Sequence, residues 1–189
     1  MQRVPTYILA GGKSSRFGSD KARAVLEGEP LILRVRRMLA AHASGVSVVA
    51  DAADKYADLG LRTIADLRPG HGPLAGLQAA LDDLQDGQRW LLLCPCDAVV
   101  IEPDWVRRLL DGRDDNACAV AFRDRENRWQ PMPALYASGA LPQVNRNLVD
   151  GCLSMQKLLD GLDTTSLDLP RNWPAGWQVN RPGDLDAHR

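Results

Sequence analysis

In its first half the chain rises four times into a short apolar run and ends each one on polar punctuation. Val4 to Ala10 breaks into Gly11-Gly12, Val46 to Ala50 ends at Asp51, Arg62 to Ala65 ends at Asp66, and Trp90 to Cys94 ends at Pro95-Cys96-Asp97. These runs read as buried strands, and Trp90 to Cys94, the most apolar, suits a central place in a parallel sheet. Segments of helical periodicity lie between and after them. Leu31, Ile32, Val35, Met38 and Leu39 predict an amphipathic helix over 30–42, with Pro30 suited to its first turn. Leu74, Leu77, Leu81 and Leu84 share a face of the next, and Pro103-Asp104 opens a third that carries Trp105, Val106, Leu109 and Leu110. Strand–helix alternation of this kind implies an α/β fold with right-handed crossovers: an open, mostly parallel sheet with helices on both faces.

Beyond residue 100 the pattern is less regular. Ala117 to Phe122 and Ala134 to Tyr136 read as strands flanking a charged loop, Arg123 to Arg128. Helices are expected over 139–149 and 154–161, then a strand over 164–169, a Trp/Pro loop and a last helical turn. With no repeat, low-complexity tract or linker, 1–189 is expected to be one domain, with a ligand-binding half of about 1–100 and a second half of about 101–189. The segment Asp54 to Gly60 reads as a polar turn.

A formal net charge of −1 gives no bulk electrostatic case for nucleic acid or an anionic membrane, so any phosphate binding must be local. Met1 to Pro5 lacks a signal-peptide core and no apolar run approaches membrane-spanning length, which makes the cytoplasm the expected compartment. The cysteines at 94, 96, 118 and 152 do not form a zinc spacing and are expected as buried thiols.

The first strand exit carries the densest chemistry. Gly11 and Gly12 permit a sharp turn and close backbone approach, Ser14 and Ser15 add hydroxyls, and Lys13, Arg16 and Lys21 add positive charge. Such a convergence after a strand suits a polyphosphate, although the same residues also compose an ordinary tight turn. Neither G-x-x-x-x-G-K-[ST] nor G-x-G-x-x-G is present in this turn. At the strand ends, Asp51 and Asp66 could be ligand groups or simple caps. Asp97 differs: Ala98, Val99 and Val100 follow it, so it has no helix of its own to cap. A carboxylate with no local partner is expected to wait for a cation, and over a triphosphate Mg²⁺ would be held by one or two carboxylates plus phosphate oxygens.

Leu9-Ala10-Gly11-Gly12-x-Ser14-Ser15-Arg16-Phe17-Gly18-x-Asp20-Lys21-Ala22 resembles the signature of the Rossmann-like nucleotidyltransferases, and within them the molybdenum cofactor guanylyltransferases. The likeness continues at Gly72-Pro73-Leu74-Ala75-Gly76-Leu77, Cys94-Pro95-Cys96-Asp97, Gln130-Pro131-x-Pro133-Ala134-Leu135-Tyr136, and Val179-Asn180-x-Pro182-x-Asp184-Leu185. The resemblance implies transfer of GMP from GTP to the terminal phosphate of molybdopterin with release of pyrophosphate. It implies Leu9, Ala10, Gly11 and Gly12 against the nucleotide, Arg16 on the polyphosphate, and Lys21 on the reacting phosphate. It places Asp51 and Asp66 toward the guanosine, Gly72 to Gly76 beside the base, and Mg²⁺ on Asp97 near Asn180. GTP and molybdopterin are the implied substrates, with molybdopterin-synthesis proteins and recipient apoenzymes as partners.

The chain departs from the family pattern in several places. Asp51 stands where an Asn is expected, Ala98-Val99 replaces a polar or Met residue and Pro, Gln178 replaces the first Asn of Asn-x-Asn, and Cys152-Leu153 stands where a basic residue is common. No catalytic histidine is expected among His42, His71 and His188. The rival readings are CMP transfer to the same pterin, a sugar-phosphate nucleotidyltransferase, and a regulatory nucleotide-binding module. Glycine at both 11 and 12 favours GTP, by resemblance.

Overall fold

The structure, a computed structural model, describes residues 3–11 and 20–188. Nine strands and five α-helices follow one another as β1 (Val4–Leu9), β2 (Val25–Leu26), β3 (Glu29–Pro30), α1 (Leu31–Leu39), β4 (Ala43–Ala50), β5 (Arg62–Ala65), α2 (Pro73–Asp82), β6 (Trp90–Pro95), α3 (Pro103–Asp111), β7 (Ala119–Arg123), β8 (Trp129–Ala137), α4 (Leu141–Val149), α5 (Met155–Gly161) and β9 (Thr164–Asp168), among the described residues. Short 3-10 turns cover Lys21–Arg23, Ala57–Leu59, Ser138–Ala140 and Pro182–His188.

Seven strands form one sheet in the order β5-β4-β1-β6-β8-β7-β9. β8 runs antiparallel to both of its neighbours, and every other pairing in the sheet is parallel. Strand alternation sorts the core into two layers. Ile8, Leu92 and Cys94 point to the side covered by Ile32 and Val35 of α1 and Trp105 and Leu109 of α3. Tyr7, Leu91 and Leu93 point to the other, against Leu74 and Leu77 of α2, Val144 of α4 and Leu158 of α5. This is the doubly covered α/β sheet that the apolar runs imply, and Trp90–Pro95 is buried at every position.

Several boundaries differ from the sequence reading. α1 stops at Leu39 because β4 begins at Ala43, earlier than the β-branched run suggests, and its added residues pair with the start of β1. Pro30 ends the small β2–β3 hairpin and caps α1 instead of entering its first turn. The strand expected at Ala134 to Tyr136 begins earlier, and Trp129–Pro133 is part of it. Its Gln130 pairs with Phe122 and its Leu135 with Val120, so residues 131–134 span a large bulge opposite Ala121. On the other edge β6 reaches only as far as Ala134, so Pro131 and Pro133 sit where neither neighbour needs an amide donor.

One side-chain cluster ties the edge of the sheet to α2. Asp83, just past the helix end, accepts from the Tyr7 hydroxyl at 2.7 Å and from Arg62 through two guanidinium nitrogens at 2.6 and 2.7 Å. The Arg62 hydrogen bonds, ahead of the Tyr7 hydroxyl, hold its carboxyl below the usual range. A depressed carboxylate stabilises the fold fully above its unfolded value of about 3.9, and the contribution is lost as pH falls through the lower folded value. Asp83→Asn is therefore expected to cost about 1–2 kcal/mol at neutral pH by urea titration. The gap to the unsubstituted protein should close toward pH 3; a gap that stays constant between pH 7 and 3 would contradict the assignment.

Candidate active site

In an open parallel sheet, ligands bind outside the carboxyl ends of the strands. β1, β4, β5 and β6 all end on the same side here, and a cavity of about 530 Å³ opens there. Its walls come from six stretches of the chain. Leu9 and Gly11 leave β1, Val49 lies at the end of β4, and Asp66, Gly70, Gly72 and Pro73 follow β5 into α2, where Gly76 joins them. Pro95, Cys96 and Asp97 leave β6, while Met132 and Gln178 close the far side.

The strand exits are pinned by bonds that continue the sheet beyond its strands. Ala10 N–H donates to Val49 at 2.9 Å, Asp66 N–H to Ala50 at 2.6 Å, and Cys96 N–H to Leu9 at 3.1 Å. Ala10 is itself buried and does not line the cavity. A Cβ at Gly76 would lie 2.9 Å from a terminal methyl of Leu9, so a larger residue there has to turn that methyl aside. The absence of a Cβ lets the first turns of α2 settle onto the end of β1 while both residues face the cavity. Gly72 caps the helix with φ of +70°, a conformation open to glycine, and Pro73 follows at the first helical position.

At the cavity edge the Lys21 ammonium lies 2.5 Å from Asp97 Oδ2, with side chains only 15% and 16% exposed. The Gln178 amide donates to Asp97 Oδ1 at 3.1 Å. Gln178 arrives because the C-terminal segment lies across the loop after β6. Val99 N–H donates to Trp177 at 2.8 Å, Val179 N–H to Asp97 at 2.9 Å, and Ala98 bridges Gln178. Asp97 thus has no helix to cap, as its sequence context implies, but it is not unpartnered. Lys21 compensates its charge, contrary to the expectation of a carboxylate waiting alone for a cation. Beside it, burial first and the Asp97 charge second push the Cys96 thiol up to about 12. It stays protonated at working pH and adds no negative charge to the cavity wall.

Of the sequence-derived candidates, Leu9, Gly11, Asp66, Gly72, Gly76 and Asp97 come together around the cavity, and Lys21 joins through Asp97. Asp66 Oδ1 accepts from Arg68 N–H at 2.8 Å, which shapes the loop toward Gly70. Asp51 is exposed, does not line the cavity, and pairs with Lys55 at 2.8 Å, whose hydrogen bond holds its carboxyl below the usual range. Asn180 is exposed beyond the cavity lining, its N–H donating to Asp184 at 2.7 Å. Gly12 and Arg16, with Lys13, Ser14 and Ser15, lie outside the described residues.

The sequence reading missed Gln178 and Met132 as site residues. The Gln-x-Asn spacing pointed to the right segment, since residues two apart share a strand face. Nothing local to Met132 marked it, because the bulge in β8 that carries it is visible only in the pairing.

The sequence matches the family described as MobA-like NTP transferase domain over residues 6–165. It is 36% identical to a probable molybdenum cofactor guanylyltransferase of Deinococcus radiodurans, over 98% of this chain and 93% of that one. It is 35% identical to a protein of the same description from Opitutus terrae, over 96% and 93%. The crystal structure of molybdopterin-guanine dinucleotide biosynthesis protein A from Archaeoglobus fulgidus superposes with a TM-score of 0.81 at 21% identity, covering 98% of this chain and 96% of that one, a likeness of fold.

The Leu9–Gly76 contact yields a direct test of the cavity as a ligand site. Gly76→Ala drives the Leu9 methyls toward the cavity, while alanine's better helix propensity returns up to about 1 kcal/mol of stability. Affinity for GTP, measured by calorimetry, is expected to fall about tenfold, equivalent to about 1.4 kcal/mol. The melting temperature should move little. Unchanged affinity would place the nucleotide elsewhere.

Proposed function

The chain belongs to the MobA-like NTP transferase family, and we propose that it transfers GMP from GTP to the terminal phosphate of molybdopterin, yielding the guanine dinucleotide form of the molybdenum cofactor. The observation that carries this reading is the Lys21–Asp97 pair at the edge of a strand-end cavity lined by Leu9, Gly11, Asp66, Gly72 and Gly76. The curated relatives above bear the name of that activity.

A phosphate oxygen of the acceptor attacks the α-phosphorus of GTP. The bond from that phosphorus to the oxygen bridging to the β-phosphate breaks, and pyrophosphate leaves with the bonding pair. The nucleophile is an anion at neutral pH, so no general base is required. The site must instead hold two mutually repelling anions in line and offset the charge that develops on the leaving group. Lys21 supplies one positive charge, exchanging its carboxylate partner for phosphate oxygen as the nucleotide arrives. Gln178 keeps Asp97 oriented through that exchange. Leu9 and Gly11 form the surface under the nucleotide and Asp66 is assigned to the guanosine end, while Gly12 is assigned to the nucleotide and Arg16 to the polyphosphate; Ala10 and Asp51, off the cavity lining, are given no contact.

Mg²⁺ suits the donor set. Among the described residues no group of three or more His, Cys, Asp or Glu side chains could hold a metal. Mg²⁺ needs only one or two carboxylates where phosphate oxygens and waters complete its shell. Asp97, which lines the cavity, would hold it, and when bound it would offset phosphate charge; Asn180 lies outside that lining. Among the described residues no helix is long and apolar enough to cross a membrane. We assign the cytoplasm as its compartment, and molybdopterin-synthesis proteins and recipient apoenzymes as its partners.

Thermal shifts with GTP, CTP, ATP and UTP in the presence of Mg²⁺ test the nucleotide. At about 100 Kd a ligand adds about 2.7 kcal/mol, and GTP is expected to give the largest rise. With molybdopterin added, GTP should release pyrophosphate stoichiometrically with the dinucleotide product. A larger shift and turnover with CTP would reassign the chain to cytidylyl transfer. Binding without pyrophosphate release would make it a nucleotide-binding module.

A further inference from the structure

Asp54 to Gly60 reads in the sequence as a polar turn, yet it contains Tyr56, whose side chain is wholly buried in the core layer that also holds Ile8 of β1 and Ile32 and Val35 of α1. Its hydroxyl is the one polar atom that such a ring brings inside, and a buried hydroxyl must find an acceptor. It donates to the carboxylate of Asp20, 3.0 Å from one oxygen and 3.2 Å from the other. The Asp20 carboxylate also accepts from Ala22 N–H at 3.1 Å, capping the short turn Lys21–Arg23. Lys21 is therefore held on both sides along the chain, by a capped carboxylate before it and by the buried Ala22 after it. From that fixed backbone its side chain spans the distance to Asp97 at 2.5 Å.

We propose that Tyr56 and Asp20 are positioning residues for Lys21, setting where its ammonium meets the reacting phosphate. The inference rests on the role assigned to Lys21 above. Two cations bound the arrangement from the solvent side: Lys55 lies 3.6 Å and Arg23 3.8 Å from Asp20 Oδ2, and both sit over the Tyr56 ring, at 5.6 and 5.2 Å from its centroid. Lys55 is shared with Asp51 at 2.8 Å, and Arg23 with Asp58 at 2.7 Å. Among the described residues Asp20 thus has cations on its solvent side and the Tyr56 hydroxyl as its buried contact. Burial first and the Asp20 charge second hold the phenol well above its ordinary value, so it remains a donor throughout the working range. The surface ion pairs contribute little direction, because exposed pairs are weak and long side chains are mobile. The hydroxyl, on a rigid ring, fixes the carboxylate. A shift of about 1 Å in a catalytic group can cost up to about 10²-fold in rate.

Tyr56→Phe removes the hydroxyl and keeps the ring. It is expected to lower kcat about tenfold with KM for GTP nearly constant, the pattern of a contact used in the transition state. The melting temperature should change little. Asp20→Ala should lower kcat further, and Asp20→Asn, which retains an acceptor for both Ala22 N–H and the phenol, should recover most of the loss. A second readout does not require turnover: acylation of Lys21 by an amine-reactive reagent on the ligand-free protein, followed by peptide mass spectrometry. Both Tyr56→Phe and Asp20→Ala should label several-fold faster at Lys21 than the parent protein. Unchanged labelling in both variants overturns the inference, as does a loss in Asp20→Ala that appears only as a lower melting temperature with kcat intact. A parent protein that transfers no GMP, while its Lys21 labelling still depends on Tyr56, overturns the functional reading and leaves the positioning standing.

Discussion

The ion pair between Lys21 and Asp97 is the constraint around which the rest of the site is arranged. Removing two charges from water costs several kcal/mol per ion, and their mutual attraction roughly offsets it, so such a pair adds little net stability. Its place is better explained by what each charge does when a third arrives. Under the proposed function a triphosphate would supply negative charge to Lys21 and a cation would join Asp97, so the ligand-free pair would keep both groups compensated until substrate separates them. A site built in this way is pre-formed and does not have to reorient its charges during the reaction.

Holding that pair requires the whole sheet. Lys21 follows the exit of β1, Asp97 follows β6, and those strands are neighbours in parallel register from Thr6 opposite Leu92 to Leu9 opposite Pro95. Parallel neighbours end on the same side, so two residues far apart in sequence emerge together. β8 runs the other way and brings Met132 to the same rim through its bulge, and the segment around Gln178 crosses over the loop after β6. Gly72 turns the chain into α2 with a positive φ, and Gly76 lets that helix lie close against Leu9, which completes the cavity.

Much of this was legible in the sequence because it depends on local patterns. Apolar runs ending in Gly-Gly or Asp gave the strand exits, helical spacing of leucines gave α2, and the absence of a helix after Asp97 marked that acid as unusual. What escaped depends on contacts between distant segments. The partner of Asp97 is Lys21, which no local rule supplies; the length of β8 was hidden by prolines that the bulge accommodates. Tyr56 was submerged in a polar turn, although a tyrosine among small and charged residues is itself a sign of a buried ring seeking an acceptor. The likeness of motifs carried the nucleotide and the reaction further than the residue patterns alone could.

The central claim is that Lys21 and Asp97 act as one unit on the reacting phosphates. A double-mutant cycle on kcat for GMP transfer, using Lys21→Met, Asp97→Asn and the combination, tests it most directly. Each single substitution is expected to lower kcat by about 10²–10³-fold, and the double to be little worse than the poorer single, as for groups that act together. Losses that multiply across the two sites, or a single variant with full turnover, would contradict it.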